Sequence, residues 1–218
     1  MLKIAHIADV HWRSLSRHAE YRTVFEEFAF QAREKGVDHI FVGGDIFHTK
    51  TSGLSPEYID QMNWWLKTLS AAAPVHLTLG NHDGLLTNMS RQDAVTPIVA
   101  ALNNPRVFLY KKSGVYQFAP GYNWCIFSLF DEEGWKDVKP VTGEINIACY
   151  HGPLYGAHTE TDWVIEEGLN LEFFKDYDFC MLGDIHQHQY MDYRDVELII
   201  PASDLSKFPN AEVVEEIG

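Results

Sequence analysis

Cysteine is scarce in this chain, three in 218 residues, and Cys125, Cys149 and Cys180 show no metal-ligand spacing. Each sits inside an apolar stretch, so free buried thiols in a reducing compartment are expected in place of a disulfide framework or a thiolate metal site. Also missing is any apolar run long enough to span a bilayer, and Leu2-Lys3-Ile4-Ala5 reads as a strand without a signal-peptide core. These absences predict a soluble, cytoplasmic protein with no membrane partner. No internal repeat, low-complexity tract or linker interrupts the chain, and 46% hydrophobic content over 218 residues supports one domain spanning residues 1–218. Positive charge is in short supply: 17 Lys+Arg face 31 Asp+Glu, a formal net charge of −14. That balance is the opposite of what a binder of phosphate backbones usually shows. The deficit is local, however. Residues 1–112 hold 12 Lys+Arg against 11 Asp+Glu, whereas residues 113–218 hold 5 against 20.

What is present is a set of five polar stretches at the ends of apolar runs: Asp9-Val10-His11, Gly43-Gly44-Asp45, Gly80-Asn81-His82-Asp83, Tyr150-His151-Gly152 and Gly183-Asp184-Ile185-His186. The runs before them, such as His39-Ile40-Phe41-Val42 and Phe179-Cys180-Met181-Leu182, read as buried strands. Strand C-termini are where open α/β sheets bind ligands. Carboxylates, imidazoles and a neutral amide oxygen brought together from separate strand ends are the donors that a pair of hard divalent metals requires. Asp9 and His11 lie two apart, as do Asp184 and His186, and on extended segments each pair would point the same way. Two metals that share a hydroxide supply their own nucleophile, so no Ser or Cys need be sought. His82 is then the candidate proton donor to a leaving alkoxide.

Strands and helices alternate in the first half. Tyr21, Val24, Phe25, Phe28 and Ala32 form a helical stripe between Ala19 and Glu34. Ser55-Pro56-Glu57 starts a second helix running to about Ala72, with Ser55 as N-cap, and a third is predicted from Ser90 or Gln92 to Leu102. Beyond Arg106 the pattern turns to short strands, which predicts a parallel-rich sheet followed by a mainly antiparallel one. Residues 131–144 read as a surface loop. His6, His39 and His76 fall inside strands and His18 at a helix start, all four structural or surface. His158 is a candidate for touching substrate. Trp12 and Tyr155 flank ligand positions, with packing the safer expectation than base stacking.

In order, these motifs resemble the calcineurin-like metallophosphoesterase superfamily, whose pattern is D-x-H, G-D, G-N-H-[DE], H and G-H-x-H; the match covers residues 9 to 186. The resemblance implies an α/β fold, a four-layer α/β/β/α sandwich with mixed sheets. It also implies that Asp9, His11, Asp45 and His186 hold one metal and that Asp45, Asn81, His151 and Asp184 hold the other. Asp45 would bridge, with Asp83 in support behind the ligands. Gly43-Gly44-Asp45-Ile46-Phe47-His48 resembles the SbcD-type DNA double-strand-break repair nucleases, in which the histidine matching His48 sits near the scissile phosphate. That branch implies manganese as activating ion, with magnesium, iron or zinc as alternatives, and it implies DNA, an SMC-like ATPase and dimerisation as partners. Arg13, Arg17, Lys50 and Arg91 follow the motifs in sequence and are candidate substrate contacts, though scattered solvated cations explain any one of them equally well.

Two departures matter. Asp184 stands where the superfamily places its first histidine. A carboxylate serves a hard metal there, while a second register pairs His186 with His188 and leaves Asp184 as an outer hydrogen-bond acceptor. The chain also ends soon after Ile200-Pro201-Ala202-Ser203, which resembles a Pro-Gly-Ser stretch of the family with Ala202 in the glycine's place, so a nuclease core without the capping domain or ATPase-docking segment is expected, either cut from a longer protein or a compact relative. The activity expected is a two-metal exonuclease or single-strand endonuclease in DNA end processing. A small-molecule phosphodiesterase or phosphatase of the same fold, or a weakly active DNA-end-binding module, remains open.

Overall fold

A computed structural model describes residues 2–13, 17–48, 55–193, 196–200 and 216–217. Its first sheet is built from β1 (Leu2–Ile7), β2 (His39–Gly43), β3 (Val75–Thr78) and β4 (Val107–Tyr110), all parallel, with β11 (Glu216–Ile217) antiparallel beside β1. The parallel register follows from helical crossovers, α1 (His18–Glu34), α2 (Pro56–Ala72) and α3 (Thr96–Leu102), which return the chain to the same end of the sheet each time. Helix α2 starts where Pro56 and the Ser55 cap predict, with Ser55 Oγ accepting from the Tyr58 N–H. Helix α3 starts later than the apolar pattern suggests. Asp93 accepts from the N–H groups of Val95 and Thr96 and binds the Thr96 hydroxyl, so its carboxylate makes the preceding turn and delays the helix.

The second sheet has the order β5 (Gly114–Ala119), β6 (Tyr122–Phe127), β7 (Ile145–His151), β8 (Phe179–Gly183), β10 (Val196–Ile200) and β9 (Gln189–Tyr193). It is not mainly antiparallel, as the short strands suggested. Pairs β6–β7, β7–β8 and β8–β10 are parallel, and only the outer pairs β5–β6 and β9–β10 are antiparallel. The long connections after β6 and β7 are crossovers built from loops and 3-10 turns, at Glu132–Asp137 and Leu171–Phe174, where helices would have signalled parallel pairing.

Period-two alternation assigns each strand residue to a layer. Ile40, Val42, Val75 and Leu77 face the helices, among Phe25, Trp65, Leu66 and Leu69. Ile4, Phe41, Trp124, Ile126, Ile147, Cys149 and Met181 fill the space between the sheets. Cys125, Phe127, Ala148, Cys180 and Leu182 face the far side, covered by Leu154, Phe174 and Tyr177 from loops and 3-10 turns. The fourth layer is therefore thin among the described residues. All three cysteines are buried and free, as their apolar settings predict.

Candidate metal centre

The loops leaving β1, β2, β3, β7 and β8 open at one end of the sandwich. Beyond β1 and β2 the two backbones stay zipped together: the N–H groups of Asp9, His11 and Trp12 donate to the carbonyls of Gly44, Asp45 and Ile46. Asp9, His11 and Asp45 nevertheless adopt left-handed φ of 55°, 47° and 50°, and Asp184 and His186 adopt 85° and 64°. Among the described residues the only other non-glycine residues with positive φ are Asn103 and Asp162. Such backbone costs on the order of 1–2 kcal/mol per residue and persists where surrounding structure enforces it. The Asp9/His11 and Asp184/His186 pairs thus do not sit on extended segments. Asp9 and His11 meet in one donor group, whereas Asp184 lies by His151 and His186 by His11 and Asp9, a placement that the two-residue spacing alone does not require.

The side chains meet over a few ångströms. His11 Nε2 lies 3.1 Å from His186 Nε2 and 3.7 Å from Asp45 Oδ2, and His186 Nε2 lies 3.8 Å from Asp9 Oδ1. On the other side of Asp45, His151 Nε2 is 3.3 Å from Asp45 Oδ1 and 3.7 Å from Asp184 Oδ1, while Asn81 Nδ2 donates to Asp184 Oδ1 at 3.2 Å. Three groups, Asp9/His11/His186, His11/Asp45/His82 and Asp9/Asp45/His151, each have ligand atoms within 4.8 Å of one another. Asp9, His11 and Asp45 each belong to two of them, and Asp45 places one oxygen toward His11 and the other toward His151.

Surrounding contacts aim these atoms. His151 Nδ1 donates to the Gly43 carbonyl at 2.7 Å, which fixes the ring and turns Nε2 toward the carboxylates. That nitrogen is buried and makes no well-formed hydrogen bond. Asp83 accepts from the N–H groups of Ile46, Phe47 and Gly80, tying the loops after β2 and β3 together behind Asp45. His82 N–H donates to Asp45 Oδ1 at 2.8 Å, and His82 Nδ1 donates to the His48 carbonyl at 2.7 Å. Nε2 of His82, 4.0 Å from Asp45 Oδ2, is then the atom that faces the centre. Glycine is required at Gly44, at φ +90°, because a Cβ there would lie 2.7 Å from both the Gly80 nitrogen and His151 Nδ1.

Electrostatics points to a cation. Burial raises Asp9 to about 6 against the opposing pull of His151 and His186. Burial and then the Asp45 charge raise Asp83 to about 7. His151 rises to about 10: burial opposes its charge, but the carboxylates of Asp45, Asp9 and Asp184 outweigh that. Burial also works against ionisation of Asp45, yet His151, the His82 N–H and His11 together hold it below its ordinary range. Three carboxylates, Asp9, Asp45 and Asp184, gather around the buried His151, whose Nε2 faces Asp45 and Asp184. The donors fit two hard divalent ions.

Other sequence candidates are placed as follows. His48 is exposed, its ring stacked 6.3 Å from that of His82 and edge-on 5.7 Å from that of His11. Burial and then the charges of Arg13 and His82 lower its pKa. Arg17 forms a two-pronged ion pair with Glu20 on the helix surface. Arg91 is exposed on the loop after β3. Lys50, like the Pro201-Ala202-Ser203 stretch, lies outside the described residues. His188 is exposed, acts electrostatically on His6 and joins none of the three donor groups; Asp184 joins none either, though its Oδ1 lies 3.7 Å from His151 Nε2, whereas His186 joins one. Trp12 is buried against Tyr21, with ring centroids 4.2 Å apart, and cannot stack on a base. Tyr155 is exposed, and His158 pairs with Asp162. Sequence reasoning did not identify the carbonyls of Gly43 and His48 as orienting groups, since a backbone acceptor leaves no residue-type signal.

The family model described as calcineurin-like phosphoesterase matches residues 2–190. An uncharacterized protein of Acanthamoeba polyphaga mimivirus is 40% identical over 205 residues, which are 86% of this chain and 15% of that protein. The chain thus spans about 15% of the length of that relative. The structure of TT1561 from Thermus thermophilus superposes with a TM-score of 0.63 at 12% identity, covering 95% of this chain and 92% of its own. A dimetal phosphatase from Danio rerio superposes with a TM-score of 0.50 at 12% identity, covering 92% and 87%. At such identities the solved structures speak to the fold alone.

Proposed function

The chain belongs to the calcineurin-like phosphoesterase family, and within that phosphoester-hydrolysing family we propose that it is a DNA nuclease, an exonuclease or single-strand endonuclease acting in end processing. The observation that carries this reading is the solvent-accessible pair His48 and His82, stacked on each other and edge-on to the donor His11. When bound, two divalent cations supply Lewis-acid activation of water and neutralise charge on the phosphate. Asp9, His11, Asp45 and His186 would hold one, and Asp45, Asn81, His151 and Asp184 the other. His82, held by the His48 carbonyl, presents Nε2 as the group that passes a proton to the leaving oxygen. His48 and Arg13 are both exposed, and in this reading they would bind the phosphate next to the scissile bond. Manganese is the proposed activating ion, and an SMC-like ATPase and a second copy are the proposed partners.

One feature favours a second reading, a small-molecule phosphodiesterase or phosphatase. The loop after His151 carries Glu160, Asp162, Glu166 and Glu167, with no Lys or Arg between residues 140 and 174. Such a wall repels a long polyanion more than a small one. The test is hydrolysis of end-labelled duplex and single-stranded DNA with manganese or magnesium, beside bis(p-nitrophenyl) phosphate and p-nitrophenyl phosphate, with His82→Ala as control. Manganese-dependent DNA degradation that the variant lacks supports the nuclease. Turnover of the small esters with DNA untouched replaces it with the second reading.

A further inference from the structure

The two sides of the donor set are chemically unequal. Around His186 the donors are two imidazoles and two carboxylates: His11 Nε2 at 3.1 Å, Asp9 Oδ1 at 3.8 Å, and Asp45 Oδ2 3.7 Å beyond His11. Around His151 there is one imidazole and otherwise oxygen: Asp45 at 3.3 Å, Asp184 at 3.7 Å, and Asn81 held to Asp184. Asp9 also lies within 4.8 Å of Asp45 and His151, adding further oxygen to that side. Imidazole nitrogen suits zinc, iron and copper, whereas carboxylate and carbonyl oxygens suit magnesium and manganese.

We propose that the His151 side is a hard-cation position, selective for manganese or magnesium over zinc, and that Asp184 sets this selectivity. The inference rests on the dimetal reading of the site. Asp184 is built into place: its backbone N–H donates to both Asp9 carboxylate oxygens, at 3.0 and 3.1 Å, and its φ is 85°. Its Oδ1 also accepts from Asn81 Nδ2, which turns the amide oxygen away from Asp184. A histidine at 184 would give both sides two imidazoles, and it would exchange a charged acceptor for a neutral ring. Asp184 thus supplies hard charge to one cation and orients the amide that serves the same cation.

The experiment is equilibrium dialysis of the chelator-stripped full chain against zinc, manganese or magnesium, with metal content measured and folding checked by circular dichroism. Wild type should take one tight equivalent of zinc and a much weaker second, but two comparable equivalents of manganese, giving the exchange-coupled electron paramagnetic resonance signal of a manganese pair. Asp184→His should tighten the second zinc equivalent by about tenfold or more, the scale on which ligand-shell changes act. Asp184→Asn, which keeps the size and the acceptor, should weaken the second manganese equivalent and leave the first unchanged. Two equal zinc equivalents in wild type, unchanged in Asp184→His, would overturn the proposal while leaving the dimetal site intact. Failure of a folded chain to bind any metal would overturn both.

Discussion

Histidines lie at both ends of the layer between the two sheets, and the two ends handle them in opposite ways. At the strand C-termini His11, His82, His151 and His186 stand among Asp9, Asp45 and Asp184, on backbone that is partly left-handed, with ring nitrogens aimed at a common space. Near the strand N-termini, His39 Nδ1 lies 3.0 Å from His76 Nε2, and His76 Nδ1 lies 2.9 Å from the Tyr110 hydroxyl. There the rings pack among aromatics: His76 stacks on Phe108 and Tyr110 and lies within 5.7 Å of Phe118 and Trp124. One end gathers carboxylates around its rings; the other pairs His39 with His76 and His76 with Tyr110, inside an aromatic cluster. The same residue type thus stands among carboxylates in an open donor set at one end and inside an aromatic packing cluster at the other.

Removing Asp45, the proposed bridge, should break this contrast most severely. Asp45→Ala deletes the carboxylate facing His11, His82 and His151, and should weaken metal binding by more than about 100-fold, beyond the usual cost of losing an outer partner. Calorimetric metal titration checks this. His82→Ala comes next: phosphodiester turnover should fall by about 10²–10⁴-fold, the range for a general acid, with bound metal unchanged. Steady-state kinetics beside metal analysis separates the two effects, and loss of metal in this variant would make His82 a ligand instead.

Gly44→Ala tests how tightly the incomplete end is packed. Its Cβ would press on the Gly80 backbone and His151 at a positive φ, so a loss of roughly 2–3 kcal/mol in denaturant unfolding is expected. The completed end has a pH signature. Burial, then the neighbouring His39, lowers His76 to about 3. The unfolded side chain takes up a proton near pH 6.5, so folding is undisturbed above that pH and is progressively opposed as pH falls from about 6.5 toward 3. By pH 5 the linkage from His76 amounts to about 2 kcal/mol. In His76→Gln, stability measured between pH 7 and 5 should fall by that much less; an unchanged slope would show that the ring is not held neutral.

Much of this was legible in the chain. Apolar runs ending in Asp, Asn and His marked the strands and the face on which the donors gather, because burial dictates period-two patterns and a metal pair dictates donor types. Ser55-Pro56 marked the start of α2 through local chemistry. The parallel pairing of β6, β7 and β8 was hidden, since loops and 3-10 turns made the crossovers that helices usually advertise. The late start of α3 was hidden as well, because Asp93 caps it from outside the apolar pattern.

By itself the sequence determined the donor inventory, the order in which it comes along the chain, and the α/β framework that presents it. Which donors lie close to one another, and how each is aimed, was decided only in three dimensions. The left-handed turns at Asp9, His11, Asp45, Asp184 and His186, and the carbonyls of Gly43 and His48 that orient His151 and His82, depend on backbone segments far apart in the chain. Residue type records what a side chain can donate. Direction comes from backbone held in place by packing between two sheets, and no local stretch encodes that.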